Sequence, residues 1–384
     1  MSILTRAIAV CAVVLSANQY SYSYSYGDST ANGIDPLITR LDSLSGSIFT
    51  RDKMFGSEAE VLACVNMPID LIPKFTEEEI RQKMLLMPTE VPMVINSQVK
   101  QFIDLFAYKR RTLMARSLAN SQLYFPIFEA VLDRKGLPME LKYLPVIESA
   151  LNPIAVSSAG ATGLWQMMYG TGTMMGLDVN SYTDERRDPA KATEAAVEYL
   201  NKLYKMYGDW HLVLAAYNSG PGNVNKAIAR AGGVKNFWSI INYLPAETRS
   251  YVPLYIAATY VMEHASDYKL VSTEPRHDLY VIDTVLVTAK VTLKHISDVI
   301  GISTDELQFL NPSIKKGIVP MLQNGFALNL PITYFASFEA MKEVIMMDSS
   351  LLQPNTEELI AAAPKLTYHK VRQNESISHI AAKY

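Results

Sequence analysis

From residue 97 to residue 264, apolar side chains recur at three- and four-residue spacing in block after block. Only one long stretch, the glycine-rich residues 157–176, interrupts the rhythm. A chain patterned this way buries one stripe of each helix against its neighbours, so the expected fold is mainly α. Val99, Phe102, Ile103, Phe106, Leu113 and Met114 mark a first helix over 97–118, and a second is expected over 124–134, ended by Gly136 and Pro138. A third, over 140–150, carries Leu141, Leu144, Ile147 and Leu151 as its stripe, with Pro145 weakening its middle. The glycine-rich stretch reads as a loop around a short helix at 164–168. Beyond it, Asp188 and Pro189 open a helix through Tyr207. Further helices are expected over 210–217, 224–231 and 247–264.

After residue 270 the pattern changes to strand, helix, helix, strand within 277–331, which predicts a small α/β module. A linker over 332–366 leads to 367–384, the opening strand and helix of a second such module that is incomplete. At the other end, Arg6 precedes an apolar run over 7–15 with small residues Ser16 and Ala17 behind it. That is the layout of an export signal over 1–17, too short to span a bilayer. Cys11 lies in this run, but Val10 is too large for a lipid-attachment site. Residues 18–55, rich in Ser, Gly and Asp, read as a flexible tether, 56–117 as an N-terminal helical extension, and 118–270 as the main domain.

The 384 residues exceed one typical core, and 49% hydrophobic against 19% charged residues is ordinary for a folded chain. A formal net charge of -3 gives no electrostatic reason to expect a nucleic-acid partner. Lys109, Arg110 and Arg111 form a local basic stretch, read as a solvated helix surface. Removal of the signal would leave Cys64 alone, a buried thiol with no internal disulfide to make. The six histidines are scattered, and neither a metal nor a cofactor is expected.

Glu148 carries the chemistry. It is the carboxylate of a largely apolar stretch, residues 145–153, and apolar surroundings disfavour the charged form, so its pKa should rise into the range of a general acid. A general acid of that kind can protonate the leaving oxygen of a glycosidic bond. Most glycosidases use two carboxylates, yet Asp184, Glu185, Arg186, Arg187 and Asp188 alternate like a self-paired, solvated loop, as poor a source for a second as Asp178 nearby. One carboxylate suffices if the substrate supplies the missing group, an N-acetyl oxygen or a C6 hydroxyl. The latter gives a 1,6-anhydro sugar, with Glu148 acting first as acid and then as base. Around it, Ser149 and Ser158 are hydroxyls near the cleft, and Gln166 can bind sugar. Tyr217 can orient Glu148 or touch substrate, Asn218 can bind sugar or pin a turn, and Tyr251 can reach the site. Trp165 can be platform or core, with Met167 beside it.

These segments resemble the goose-lysozyme-like soluble lytic transglycosylase domain. The likeness covers 118–265 and rests on Glu148-Ser149, on 160–166, on Ala215-Ala216-Tyr217-Asn218-Ser219-Gly220 and on 247–252. The resemblance implies a lysozyme-like domain in which Glu148 is the sole acid/base, with Tyr217, Gln166 and Tyr251 in the site. Tyr169-Gly170-Thr171 departs from the Pro-Ser-Thr frequent in the family, which changes the local loop. Residues 277–331 and 367–384 resemble LysM modules, the first loosely, since Ile282-Asp283-Thr284 replaces the usual turn. The resemblance implies peptidoglycan glycan strands as substrate and an exported protein of the periplasm or the outer-membrane-associated envelope. A hydrolytic muramidase or chitinase of the same fold is the first alternative, and a non-catalytic glycan-binding protein the second.

Overall fold

The computed structural model describes residues 35–45, 63–275 and 281–347. The expected export signal and the partial module at 367–384 lie outside them. The first element is α1 (Pro36–Ser45), inside the segment expected to be a flexible tether. Leu37, Ile38, Leu41 and Leu44 are buried, and their spacing makes one helical stripe that pins α1 to the domain. Asp42 of α1 pairs with Arg110 at 2.9 Å.

Next, α2 (Glu77–Leu86) opens on a reciprocal cap: Thr76 Oγ1 accepts from the Glu79 amide at 3.2 Å, and the Glu79 carboxylate accepts from the Thr76 amide at 2.7 Å. The helix expected over 97–118 is two elements. Asn96 caps α3 (Ser97–Asp104), a π turn covers Leu105–Lys109, and α4 (Arg111–Lys135) begins anew after Arg110. The helix expected from residue 124 is the second half of α4, which runs through Pro126; the burial of Tyr124, Phe128, Val131 and Leu132 on that half outweighs the hydrogen bond the proline removes.

Arg111 explains the break. Far from being solvated, it is buried and donates Nε to the Cys64 carbonyl at 3.0 Å, Nη1 to Ala107 at 2.7 Å and Tyr268 at 2.9 Å, and Nη2 to Lys269 at 2.8 Å. Its planar fork staples the segment around Cys64 to the far end of the domain. Cys64 is a buried free thiol, as its neighbours suggested.

A 3-10 turn (Met139–Tyr143) then feeds α5 (Leu144–Ser149). Pro145 stands in the first turn of α5, where its missing N–H costs nothing, not in the middle of a longer helix. The chain leaves α5 through two consecutive left-handed residues, Ala150 (φ 51°) and Leu151 (φ 58°). The glycine-rich segment turns tightly at 163–166 and becomes helical only at α6 (Tyr169–Met174), not at 164–168 as expected.

As expected, α7 (Pro189–Tyr207) is capped by Asp188, whose Oδ1 accepts from the amides of Ala190 and Lys191 at 3.0 and 2.9 Å. It is followed by α8 (Trp210–Ser219), α9 (Pro221–Arg230), α10 (Phe237–Ile240) and α11 (Ala246–Glu263). The centre is α8, packed on α7, α9 and α11, while α11 also lies along α3, and α4 along α7. Phe106, Phe128, Trp165, Tyr251 and Tyr255 are fully buried between them, each removing enough apolar surface from water to contribute about 1.5–3 kcal/mol.

Residues 281–347 form the small α/β module. Strand β1 (Ile282–Val287) pairs antiparallel with β4 (Phe326–Pro331), Val285 opposite Leu328. Between them lie β2 (Val291–Thr292), α12 (Leu293–Ile300), α13 (Thr304–Leu310) and β3 (Ile318–Val319), the last pairing with β2. The expected strand, helix, helix, strand order holds, with one small ribbon added. The start of the expected linker is instead helical, in α14 (Phe335–Ala340) and α15 (Lys342–Met346), because Phe338 and Ile345 fill the module's core.

The module meets the helical domain at the loop before α7. The Asp184 amide donates to the Ser313 carbonyl at 2.9 Å and the Lys315 amide to the Tyr182 carbonyl at 2.7 Å. The Tyr182 ring lies under Lys290 and Lys316. Here the loop read as solvated is corrected: Asp184 and Arg186 are both buried and pair at 2.8 Å. The self-pairing is real, but it braces the interior.

Candidate active site

Glu148 occupies the last turn of α5 and is only 4% exposed. Its Oε1 accepts the hydroxyl proton of Tyr251, which is fully buried in the second turn of α11. Its Oε2 faces Nη2 of Arg40, from α1, at 3.4 Å, and the other terminal nitrogen of Arg40 donates to Glu247 at 2.7 Å. Burial pushes the Glu148 carboxyl above its ordinary value; the Arg40 charge and the Tyr251 hydrogen bond pull it down, and the Glu247 charge adds a smaller upward push. Desolvation prevails over the one cation nearby, so the proton is held more tightly than in water. Burial and the Glu148 charge likewise drive both Tyr251 and Tyr217 well above the usual phenol range, so both stay donors.

The turn that follows Glu148 is built by its neighbours. Ser149 is fully buried: its hydroxyl donates to the Leu164 carbonyl at 2.9 Å and accepts from the Asn152 amide at 3.2 Å. Expected at the cleft, it faces inward, because the left-handed exit of α5 needs those backbone groups satisfied. Asn152 donates Nδ2 to the Leu44 carbonyl of α1 at 2.9 Å. Ser158 is exposed on the loop beyond.

Trp165 is core, not platform: it is fully buried, its indole N–H donates to Thr193 Oγ1 at 2.9 Å, and the Phe128 ring lies 5.1 Å away, tilted by 60°. Met167 is buried beside it. Gln166 adopts a left-handed φ of 46° and donates Nε2 to the carbonyls of Gly163 (2.9 Å) and Ala155 (3.2 Å). Its Oε1 is buried and has no hydrogen-bond partner among the described residues. An unpartnered buried acceptor is costly unless something donates to it.

Tyr217 and Asn218 close α8. The Tyr217 hydroxyl donates to the Trp165 carbonyl at 2.7 Å, which fixes the turn bearing Gln166. Asn218 Oδ1 accepts from Thr248 Oγ1 at 2.8 Å and so ties α8 to the first turn of α11, which carries Glu247 and leads to Tyr251. Glu148, Tyr251 and Tyr217 therefore share one electrostatic neighbourhood. Sequence reasoning missed Arg40 and Glu247. Glu247 stood in a quoted motif but was given no role, and the apolar stripe of α1 was the available signal for Arg40.

Residues 125–239 match the family described as Transglycosylase SLT domain, and residues 281–345 match the LysM-like domain of lytic transglycosylase MltD. The helical domain is SLT-like. It is homologous to the membrane-bound lytic murein transglycosylase D of Escherichia coli (strain K12), 38% identical over 188 residues that make up 47% of this chain and 40% of the relative. The soluble lytic murein transglycosylase of the same organism is 34% identical over 138 residues, 34% of this chain and 21% of that one. The crystal structure of the 70 kDa soluble lytic transglycosylase from Escherichia coli is similar over 39% of this chain and 26% of its own, at 29% identity and a TM-score of 0.32. The chain thus spans less than half the length of each of these relatives. Glu148, Gln166 and Tyr217 lie within the SLT match; Arg40, Glu247 and Tyr251 lie outside it.

Proposed function

We propose that the chain is a lytic transglycosylase of peptidoglycan that cuts the β-1,4 bond between N-acetylmuramic acid and N-acetylglucosamine. The observation that carries the reading is the buried carboxyl of Glu148, protonated more readily than an exposed one and oriented by Tyr251. Glu148 gives its proton to the bridging oxygen as the bond to the muramoyl C1 breaks. The resulting carboxylate takes the proton of the C6 hydroxyl, whose oxygen bonds to C1. The product is a 1,6-anhydromuramoyl end, with no water consumed.

Gln166 would join the substrate residues if the turn at 163–166 opens toward the glycan, since its buried Oε1 has no partner among the described residues and could then accept from an acetamido N–H. Tyr217 and Asn218 would border the same subsite through the turn they hold, Ser158 would meet sugar from the exposed loop, and Ser149 would support Glu148 from behind. The homology to a membrane-bound murein transglycosylase supports an exported, envelope-associated location, and the LysM-like module would add affinity for the glycan.

Hydrolysis by a muramidase is the second reading, and Glu247 is what favours it: a carboxylate reached by the same Arg40 that faces Glu148. By contrast Asp184 is paired with Arg186, Asp188 caps α7 and Glu185 pairs with Lys191. Mass spectrometry of the products from purified peptidoglycan decides between them. Muropeptides one water lighter than hydrolysis products, lost in Glu148→Gln, are the expected result. Ordinary reducing ends, lost in Glu247→Gln, would make it a muramidase.

A further inference from the structure

A general acid has to come within hydrogen-bond reach of the oxygen it protonates. In this structure neither oxygen of Glu148 is open to one. Tyr251 holds Oε1 from the core side, and Arg40 faces Oε2 from α1. Resting on the transglycosylase reading, we infer that α1 is an autoinhibitory strap: Arg40 holds the place at Glu148 that the bridging oxygen of a glycan must take, and α1 must swing aside before cleavage.

The strap is built to be displaced. Among the described residues, its polar ties run from Arg40 to Glu148 and Glu247, from Asp42 to Arg110, and from the Leu44 carbonyl to Asn152. The pairs to Glu247 and Arg110 involve side chains between 28% and 44% exposed, a setting in which such pairs are weak, and the pair to Glu148 is long at 3.4 Å. Arg40 Nε is itself buried with no hydrogen-bond partner among the described residues, so the closed state leaves a donor unsatisfied. Four apolar side chains hold the rest of the helix, Leu37, Ile38, Leu41 and Leu44. A helix of 10 residues is too short to persist in water without that support. Closing and opening are thus a folding-and-docking equilibrium of one segment, and glycan competes with it for Glu148.

Two variants loosen the strap from different ends. Arg40→Ala removes the group at the carboxylate; Asp42→Asn breaks the tie to Arg110 and leaves every residue of the site in place. The measurements are calorimetric binding of a β-1,4-linked N-acetylglucosamine tetramer and the rate of anhydromuropeptide release, with the melting temperature as a check on folding. Because apparent affinity scales with the open fraction, both variants should bind the tetramer about three- to tenfold more tightly and cut with a correspondingly higher kcat/KM. Arg40→Ala should also move the upper pH limit of kcat/KM upward, because that profile reports the free enzyme, in which the docked cation favours the charged form of Glu148, and Asp42→Asn, which keeps Arg40, should move it less. Variants that bind and cut like the parent, or more slowly, would overturn the strap and make α1 a fixed wall of the cleft. Tighter tetramer binding with no cleavage by any form, the parent included, would keep the strap and discard the transglycosylase reading.

Discussion

The Tyr251 hydroxyl donates to Oε1 of Glu148 although the two residues are 103 positions apart in the chain. This bond joins α11, buried without a break from Tyr251 to Met262, to the end of α5, and it occupies one of the two carboxyl oxygens. Oε1 is held on the core side, so on the proposed transglycosylase reading Oε2 is the oxygen that would carry the proton. The ring cannot shift to release it, since Tyr251 has no exposed surface.

Tyr251→Phe therefore removes orientation and little else. The phenyl ring fills the same space, and the loss of one hydrogen bond costs about 0.5–1.5 kcal/mol of stability. The expected loss in kcat is about tenfold to a hundredfold, from a carboxyl free to turn away from the bridging oxygen, with KM nearly unchanged. The Tyr251 bond favours the charged form of Glu148, so the variant's upper pH limit should also move upward. Steady-state kinetics across pH check both effects. A variant that loses affinity and keeps its kcat would assign Tyr251 to sugar binding instead.

Glu148 also leaves a signature in stability. Its folded pKa is raised above the unfolded value by burial, against Arg40 and Tyr251 and with Glu247, so the folded state holds the proton more tightly. Its contribution to stability is then complete below the unfolded pKa, about 4.3, and is lost as pH rises through the folded pKa. Glu148→Gln keeps the shape and cannot ionise. The melting temperature of the variant should accordingly gain on the parent as pH rises from acid to neutral, while Arg40 keeps Glu247 as a partner. Thermal melts at several pH values check it; a difference independent of pH would mean that the carboxyl is no harder to ionise in the fold than in the unfolded chain.

Much of this was legible in the sequence, and the part that was not has physical causes. Glu148 stood out because a carboxylate among apolar residues is costly without a purpose, and Tyr217 and Tyr251 belonged to quoted motifs. The stripes of α7 and α11 gave their helices directly. Arg40 was lost because Ser, Gly and Asp dominate the residues around α1, although Leu37, Ile38, Leu41 and Leu44 keep helical spacing within them. Arg111 and Arg186 were read as surface because charge in a local window predicts solvent. Their partners are backbone carbonyls and a carboxylate brought in by the fold. The inward hydroxyl of Ser149 depends on the left-handed pair Ala150 and Leu151, which no propensity foretells.

The turn that carries Gln166 rests on one glycine, and a paired substitution tests how. Gly163 has a φ of 84°, and a Cβ there would meet the Arg186 carbonyl oxygen at 1.9 Å, backbone against backbone. Gly160 has nearly the same φ, 82°, with nothing within 4 Å of its Cβ position. Gly160→Ala thus isolates the left-handed strain, about 1–2 kcal/mol. Gly163→Ala adds a clash that only separation of the Arg186 segment from the turn can relieve, for a total of about 3 kcal/mol or more. The displaced segment carries Arg186, whose Nη1 donates to the carbonyls of Gly160 and Met167 at 3.0 and 3.1 Å, so Gln166 should lose its place as well. Urea unfolding should rank the parent above Gly160→Ala and both above Gly163→Ala, with tetramer binding lost only in the last. Equal costs for the two alanines would show that the Arg186 backbone yields freely and that the turn is held by Tyr217 and Arg186 side chains alone.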